Sequence, residues 1–156
     1  MDRRDFLKTV AVSGAAMTIQ RSEAMEILTQ AVNSTGKPDL VAVMGDEPEL
    51  MFQRAIAELG GMKQFVKSGQ KVVVKPNIGW DKVPELAGNT NPKLVAEIVK
   101  QCFAAGAKEV TVFDHTCDDW QKCYKNSGIE SAAKAAGAKV MPAHLESYYK
   151  PIDLPK

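Results

Sequence analysis

The sequence predicts an α/β domain of the Rossmann-like, three-layer type, with a mainly parallel sheet of about four or five strands. Three observations predict it. Short apolar runs at 40–44, 71–74, 110–113 and 139–141 alternate with longer segments of helical periodicity. The runs are apolar on both faces, as strands covered by helices on both sides must be. And Ala105-Gly106-Ala107-Lys108 is echoed by Ala136-Gly137-Ala138-Lys139, each a helix stop leading directly into a strand.

The elements follow in order. Residues 25–37 are expected to be a short helix running into a linker; Asn33-Ser34-Thr35-Gly36-Lys37-Pro38 is polar and rich in breakers and marks the start of a 38–156 domain.

Leu40-Val41-Ala42-Val43-Met44 reads as the first buried strand. Asp46 and Glu49 then have capping-box spacing, Met51, Phe52, Ala55, Ile56 and Leu59 share one helical face, and Gly60 ends it. Lys71-Val72-Val73-Val74 is the second strand. After a long loop, Asn91 caps a helix with Pro92 at its first position. Leu94, Val95, Ile98, Val99, Cys102 and Phe103 are its buried face, and Gly106 stops it. A strand at 110–113 follows. Ser127 and Glu130 repeat the capping-box spacing ahead of a small-residue helix face of Ile129, Ala132, Ala133 and Ala136. Gly137 stops that helix before a short strand at 139–141. The tail from Tyr148 has no closing helix, so the domain is expected to continue beyond Lys156.

Composition excludes several classes. The chain has 156 residues, 45% of them hydrophobic and 25% charged, values of an ordinary globular domain. Lys plus Arg number 20 against 19 acids, so no excess charge is present to neutralise nucleic-acid phosphates. Three cysteines do not make a disulfide scaffold, although Cys117 and Cys123 are near enough in sequence to bridge.

The first residues read as an address. Arg3-Arg4-Asp5-Phe6-Leu7-Lys8 precedes a short apolar stretch at 9–19, and Ser22-Glu23-Ala24 offers small residues for cleavage. The order of residues matches the twin-arginine export signal. The expectation is a 1–24 signal, passage through the twin-arginine translocase and a periplasmic or extracytoplasmic location. The apolar stretch is too short to span a bilayer, which takes roughly 20 residues. Without residues 1–24 the chain carries 16 groups of each sign.

In a parallel sheet, ligands bind beyond the carboxyl ends of the strands. The loops expected there hold both tryptophans and both histidines of the chain. Lys75 follows an apolar strand, so its amine should emerge at the rim and meet a small anion, and Asn77 could hydrogen-bond the same ligand. Asn89-Thr90-Asn91 opens a helix whose free N–H groups favour an anion, a pattern that ordinary capping also explains. Asp114-His115 is the candidate acid–base pair, since a carboxylate beside a histidine can orient or charge it. Asp114, His115, Cys117 and Asp118 contain metal-ligand types without the spacing of a metal motif, so no metal ligand is assigned. A GxGxxG, a Walker A motif and a Gly-x-Ser-x-Gly elbow are all absent from the sequence.

Val72-Val73-Val74-Lys75-Pro76-Asn77, then Asn89-Thr90-Asn91-Pro92, then Val112-Phe113-Asp114-His115-Thr116, resemble the family called domain of unknown function 362 over roughly residues 38–156. The resemblance implies a rim built from Lys75, Asn77, Asn89, Asp114 and His115. It also implies an iron–sulfur association, because some members carry a four-cysteine segment. Three scattered cysteines cannot supply one, so a 4Fe-4S cluster would lie in sequence beyond Lys156.

Three functions follow as expectations: an exported redox-associated or cofactor-binding protein; a non-redox racemase or lyase acting on a small carboxylate or phosphate; and a periplasmic binding or assembly module without catalysis.

Overall fold

The computed structural model describes residues 38–45 and 47–154. The expected export signal and linker therefore lie outside the described residues, as does Asp46. Among the described residues no helix is long and apolar enough to cross a membrane.

The core is a three-stranded parallel sheet, β1 (Lys71–Val74), β2 (Glu109–Val112) and β3 (Lys139–Val140), in the order β1-β2-β3. Val72 pairs with Val110 and Val74 with Val112, while Thr111 pairs with Lys139 and Val112 with Val140. Four α-helices accompany it among the described residues: α1 (Pro48–Glu58), α2 (Pro92–Ala104), α3 (Trp120–Asn126) and α4 (Ile129–Ala135). Parallel strands need crossovers, and α2 supplies the first and α3 with α4 the second. This is the α/β arrangement that the alternation of runs and helices predicts.

Side chains alternate across each strand. Val72, Val74, Val110, Val112 and Val140 point into a core shared with Val95, Val99 and Cys102 of α2 and with Ile129 and Ala133 of α4. Burying a valine or isoleucine contributes roughly 1.5–3 kcal/mol, so this one-sided packing is what anchors the sheet. The opposite face shows Val73 at 60% and Met141 at 48% exposure. There Lys71 stands in register with Glu109, and Glu109 also pairs with Lys139; these lysines hold the Glu109 carboxyl below its ordinary range.

Helix punctuation is largely local chemistry. The Asn91 side chain accepts a hydrogen bond from Lys93 N–H at 2.9 Å, with Pro92 in the first turn. The two echoed tetrapeptides form the same stop. Gly106 and Gly137 have φ of 104° and 96°. Ala107 N–H reaches Cys102 O and Ala138 N–H reaches Ala133 O, both at 3.0 Å, the bonding of a Schellman motif.

Three expectations are corrected. Residues 40–44 form no strand: the sheet has three strands among the described residues, and Leu40 and Met44 are 84% and 98% exposed. Its apolar character is strand-like, but it has found no ladder to join. Helix α1 begins at Pro48 after Glu47, whose side chain makes no cap bond. And the cap of α4 is Gly128 (φ 71°) rather than Ser127, because residues 120–126 form α3 and Ser127 is its C-cap. Ser127 Oγ still accepts from Ile129 N–H at 3.3 Å, one place removed from the capping box.

Candidate functional site

The loops leaving β1, β2 and β3 do converge, and they are held by a compact polar network. Its centre is Asp114, only 4% exposed, at the carboxyl end of β2. One carboxylate oxygen pairs with Lys75 Nζ at 2.7 Å, and the other accepts from Ile78 N–H at 2.8 Å. Ile78 is fully buried beneath the loop. Two backbone bonds continue the seam, Cys117 N–H to Gly79 O at 2.8 Å and Asp118 N–H to the same oxygen at 3.2 Å. Asp118 in turn accepts from Asp81 N–H at 3.0 Å.

A tyrosine ties in the third strand. Tyr124 of α3 is 2% exposed, and its hydroxyl accepts from Asp114 N–H at 2.8 Å. The same hydroxyl lies 2.9 Å from Asp114 O and 3.1 Å from Met141 O, so its proton has a carbonyl on either strand end to donate to. Burial pushes the Tyr124 phenol up from its ordinary value. Sequence reasoning missed this residue, because its role depends on α3 being a helix. Asp119 capping Lys122 N–H at 3.0 Å was the available signal.

Each expected ligand contact can now be placed. Asn77 donates through Nδ2 to Gly88 O at 3.2 Å, and its backbone exchanges bonds with Thr90: Asn77 N–H to Thr90 Oγ1 at 2.8 Å and Thr90 N–H to Asn77 O at 2.9 Å. Asn89 clamps Trp80, accepting from its N–H at 3.1 Å and donating to its carbonyl at 2.8 Å. Asn91 caps α2. These four residues come together, and in this structure their polar atoms brace the 77–91 loop. Lys75 remains 65% exposed although it is paired.

Asp114 and His115 face different partners. The Asp114 oxygens are taken by Lys75 and Ile78, while the exposed His115 ring lies 6.2 Å from that of Tyr149. His144 stacks on Trp120 at 4.7 Å with the rings 8° from parallel, and Tyr148 meets His144 edge-on. The cysteines are free; Cys117 is exposed, and burial raises the thiols of Cys102 and Cys123. Among the described residues no three His, Cys, Asp or Glu converge as metal ligands.

Beside this network a cleft of about 370 Å³ opens on the exposed face of the sheet, toward the carboxyl ends of β2 and β3. Its walls are Thr111 and Phe113 from one strand end, Met141 to Ala143 from the next, and Tyr148 and Tyr149 from the tail. Tyr149 is fixed by its hydroxyl, which donates to Ala143 O at 2.7 Å. The site is therefore mostly apolar and aromatic, with the His115 ring 6.2 Å from that of Tyr149, and it can take a flat ring bearing a polar group.

A family model described as a domain of unknown function, DUF362, matches residues 72–156. The chain belongs to the DUF362 family. The match begins at β1 and takes in the whole ion-pair network and the cleft of this DUF362 domain. No curated protein and no solved structure matches the chain.

Proposed function

We propose that this DUF362 domain is an exported cofactor-binding or ligand-binding module whose site is the aromatic cleft on the exposed sheet face near the carboxyl ends of β2 and β3. The cleft itself carries the reading: Phe113, Met141, Tyr148 and Tyr149 wall an apolar space of about 370 Å³, within the range of small-molecule sites. The ligand class is a planar ring with a small anionic group. The ring packs on the tyrosines, and His115, whose ring lies 6.2 Å from that of Tyr149, is the neighbouring group suited to the anion. The export part of the reading is supported by the Arg3-Arg4 sequence alone, and with it a periplasmic or other extracytoplasmic location.

The redox-associated form of the proposal rests on the family resemblance. Cys102 and Cys123 are buried in the core cluster and Cys117 lies alone at the surface, so these three thiols do not fit an iron–sulfur cluster. A racemase or lyase would need a proton-transfer group with a free lone pair. His115 meets that need better than Asp114, whose oxygens are engaged.

Flavin mononucleotide is a suitable probe, titrated by calorimetry against the full chain, with riboflavin and inorganic phosphate as separate arms. His115→Ala and Tyr149→Ala should each weaken flavin mononucleotide binding at least about tenfold while leaving the melting temperature nearly unchanged. Equal binding by both variants would reject the cleft as the site.

A further inference from the structure

Two cysteines meet at one carbonyl. Gly79 O accepts from Cys117 N–H at 2.8 Å and from the Cys123 thiol at 3.7 Å. The amide nitrogen of one and the sulfur of the other are therefore no more than about 6.5 Å apart. The Cys117 sulfur borders the same residue, 3.8 Å from where a Cβ on Gly79 would stand. Burial raises the Cys123 thiol, and a hydrogen bond from the Asp118 backbone, next in the chain to Cys117, opposes it. The approach is set by regular structure rather than by a free loop: Asp119 caps α3, and Cys123 N–H bonds Asp119 O at 2.9 Å. Cys117 is exposed and Cys123 is buried directly beneath this seam. Only a local turn of the loop separates the free pair from a bonded one.

We propose that Cys117 and Cys123 are a reversible dithiol–disulfide pair, a redox latch that staples the first turn of α3 to the loop leaving β2. The oxidant is a small disulfide of the glutathione class. The Cys117 thiolate, at the surface, attacks it: the oxidant's S–S bond breaks, a mixed disulfide forms on Cys117, and one glutathione thiolate leaves and takes up a proton. The Cys123 thiolate then attacks the Cys117 sulfur, giving up its own proton. The protein S–S bond forms, the mixed bond breaks, and the second glutathione leaves as a thiol. Two cysteines are oxidised and one glutathione disulfide is reduced. Cys123 is followed by Tyr124, whose hydroxyl holds the ends of β2 and β3, so the latch fixes the helix that carries this clasp. No cysteine lines the aromatic cleft, so the latch stands apart from the binding site.

The test is to treat the folded full chain with excess glutathione disulfide, quench in acid, alkylate the remaining thiols in denaturant and map tryptic peptides by mass spectrometry. Cleavage after Lys122 separates the two cysteines, so their bond appears as two joined peptides. The expected result is that joined pair, with Cys102 alone alkylated. Closing so short a ring should raise the melting temperature by about 5 °C, and dithiothreitol should reverse the rise. Cys123→Ser should stop at one glutathione on Cys117, and Cys117→Ser should take up none. If Cys123→Ser fails to fold, the joined peptides of the unsubstituted chain decide the matter. A glutathione that stays on Cys117 while Cys123 is still alkylated overturns the proposal, as do three free thiols, a bond to Cys102, a covalent dimer, or a bond that forms only in denaturant. A joined pair with no rise in melting temperature overturns the latch.

Discussion

The hydroxyl of Tyr124 holds the backbone of Asp114, accepting its N–H at 2.8 Å while lying 2.9 Å from its carbonyl. Through this contact α3 reaches across the carboxyl end of the sheet and fixes the residue that fixes the β1 loop. Tyr124→Phe keeps the packing and strands a buried N–H, so it should cost about 1–3 kcal/mol in urea denaturation. A loss within error would mean that water replaces the hydroxyl.

Asp114 should tolerate replacement in a graded way. Asp114→Asn keeps an acceptor for Ile78 N–H and loses the ion pair with Lys75, whose exposure limits what the pair contributes. Asp114→Ala loses both. The alanine variant should be the less stable, and in it the Ile78 amide should exchange markedly faster; equal exchange in the two variants would contradict the assigned role.

Gly106 is a backbone requirement. Its φ is 104°, and a Cβ there would sit 3.1 Å from Ser68 Cα, in the turn where Gly69 N–H bonds Gly106 O at 2.8 Å. Gly106→Ala should destabilise by about 1 kcal/mol or more, measured by thermal melting.

Alkaline pH should unfold the domain early. Burial raises Cys102 and Cys123 above the ordinary thiol value of 9.0 and Tyr124 above 10.0. A folded pKa above the unfolded one means that stability is intact below pH 9 and is lost as pH climbs through the unfolded and then the folded values. Denaturation midpoints should hold level from pH 7 to about 8.5 and fall beyond, and Tyr124→Phe should flatten the part of the decline above pH 10. A wild-type midpoint that stays level to pH 11 would contradict this.

How much of this was written in the residues differs by element. Asn91-Pro92 and the two Ala-Gly-Ala-Lys stops act through their own backbones, so their roles were legible locally. The runs at 71–74 and 110–113 were legible too, because a parallel strand buried on its inner face is apolar whatever lies beside it. Residues 40–44 carry the same pattern and make no strand, since a strand exists only through its neighbour. At the site, residue types marked the right loops but not the partners. Asp114 turned to Lys75 and Ile78 rather than to adjacent His115, and Asn77 and Asn89 turned to the loop's own backbone. The Tyr148 and Tyr149 walls of the cleft carry no local motif, since they meet Phe113 only after the chain has crossed β3.

The most direct test of the cleft as a binding site is chemical-shift mapping of the full chain during titration with flavin mononucleotide. The account predicts saturable shifts concentrated at Phe113–Thr116 and Met141–Tyr149, with little change on α1. Shifts centred on α1 and the outer side of α2, or no saturable shifts at millimolar probe, would contradict it.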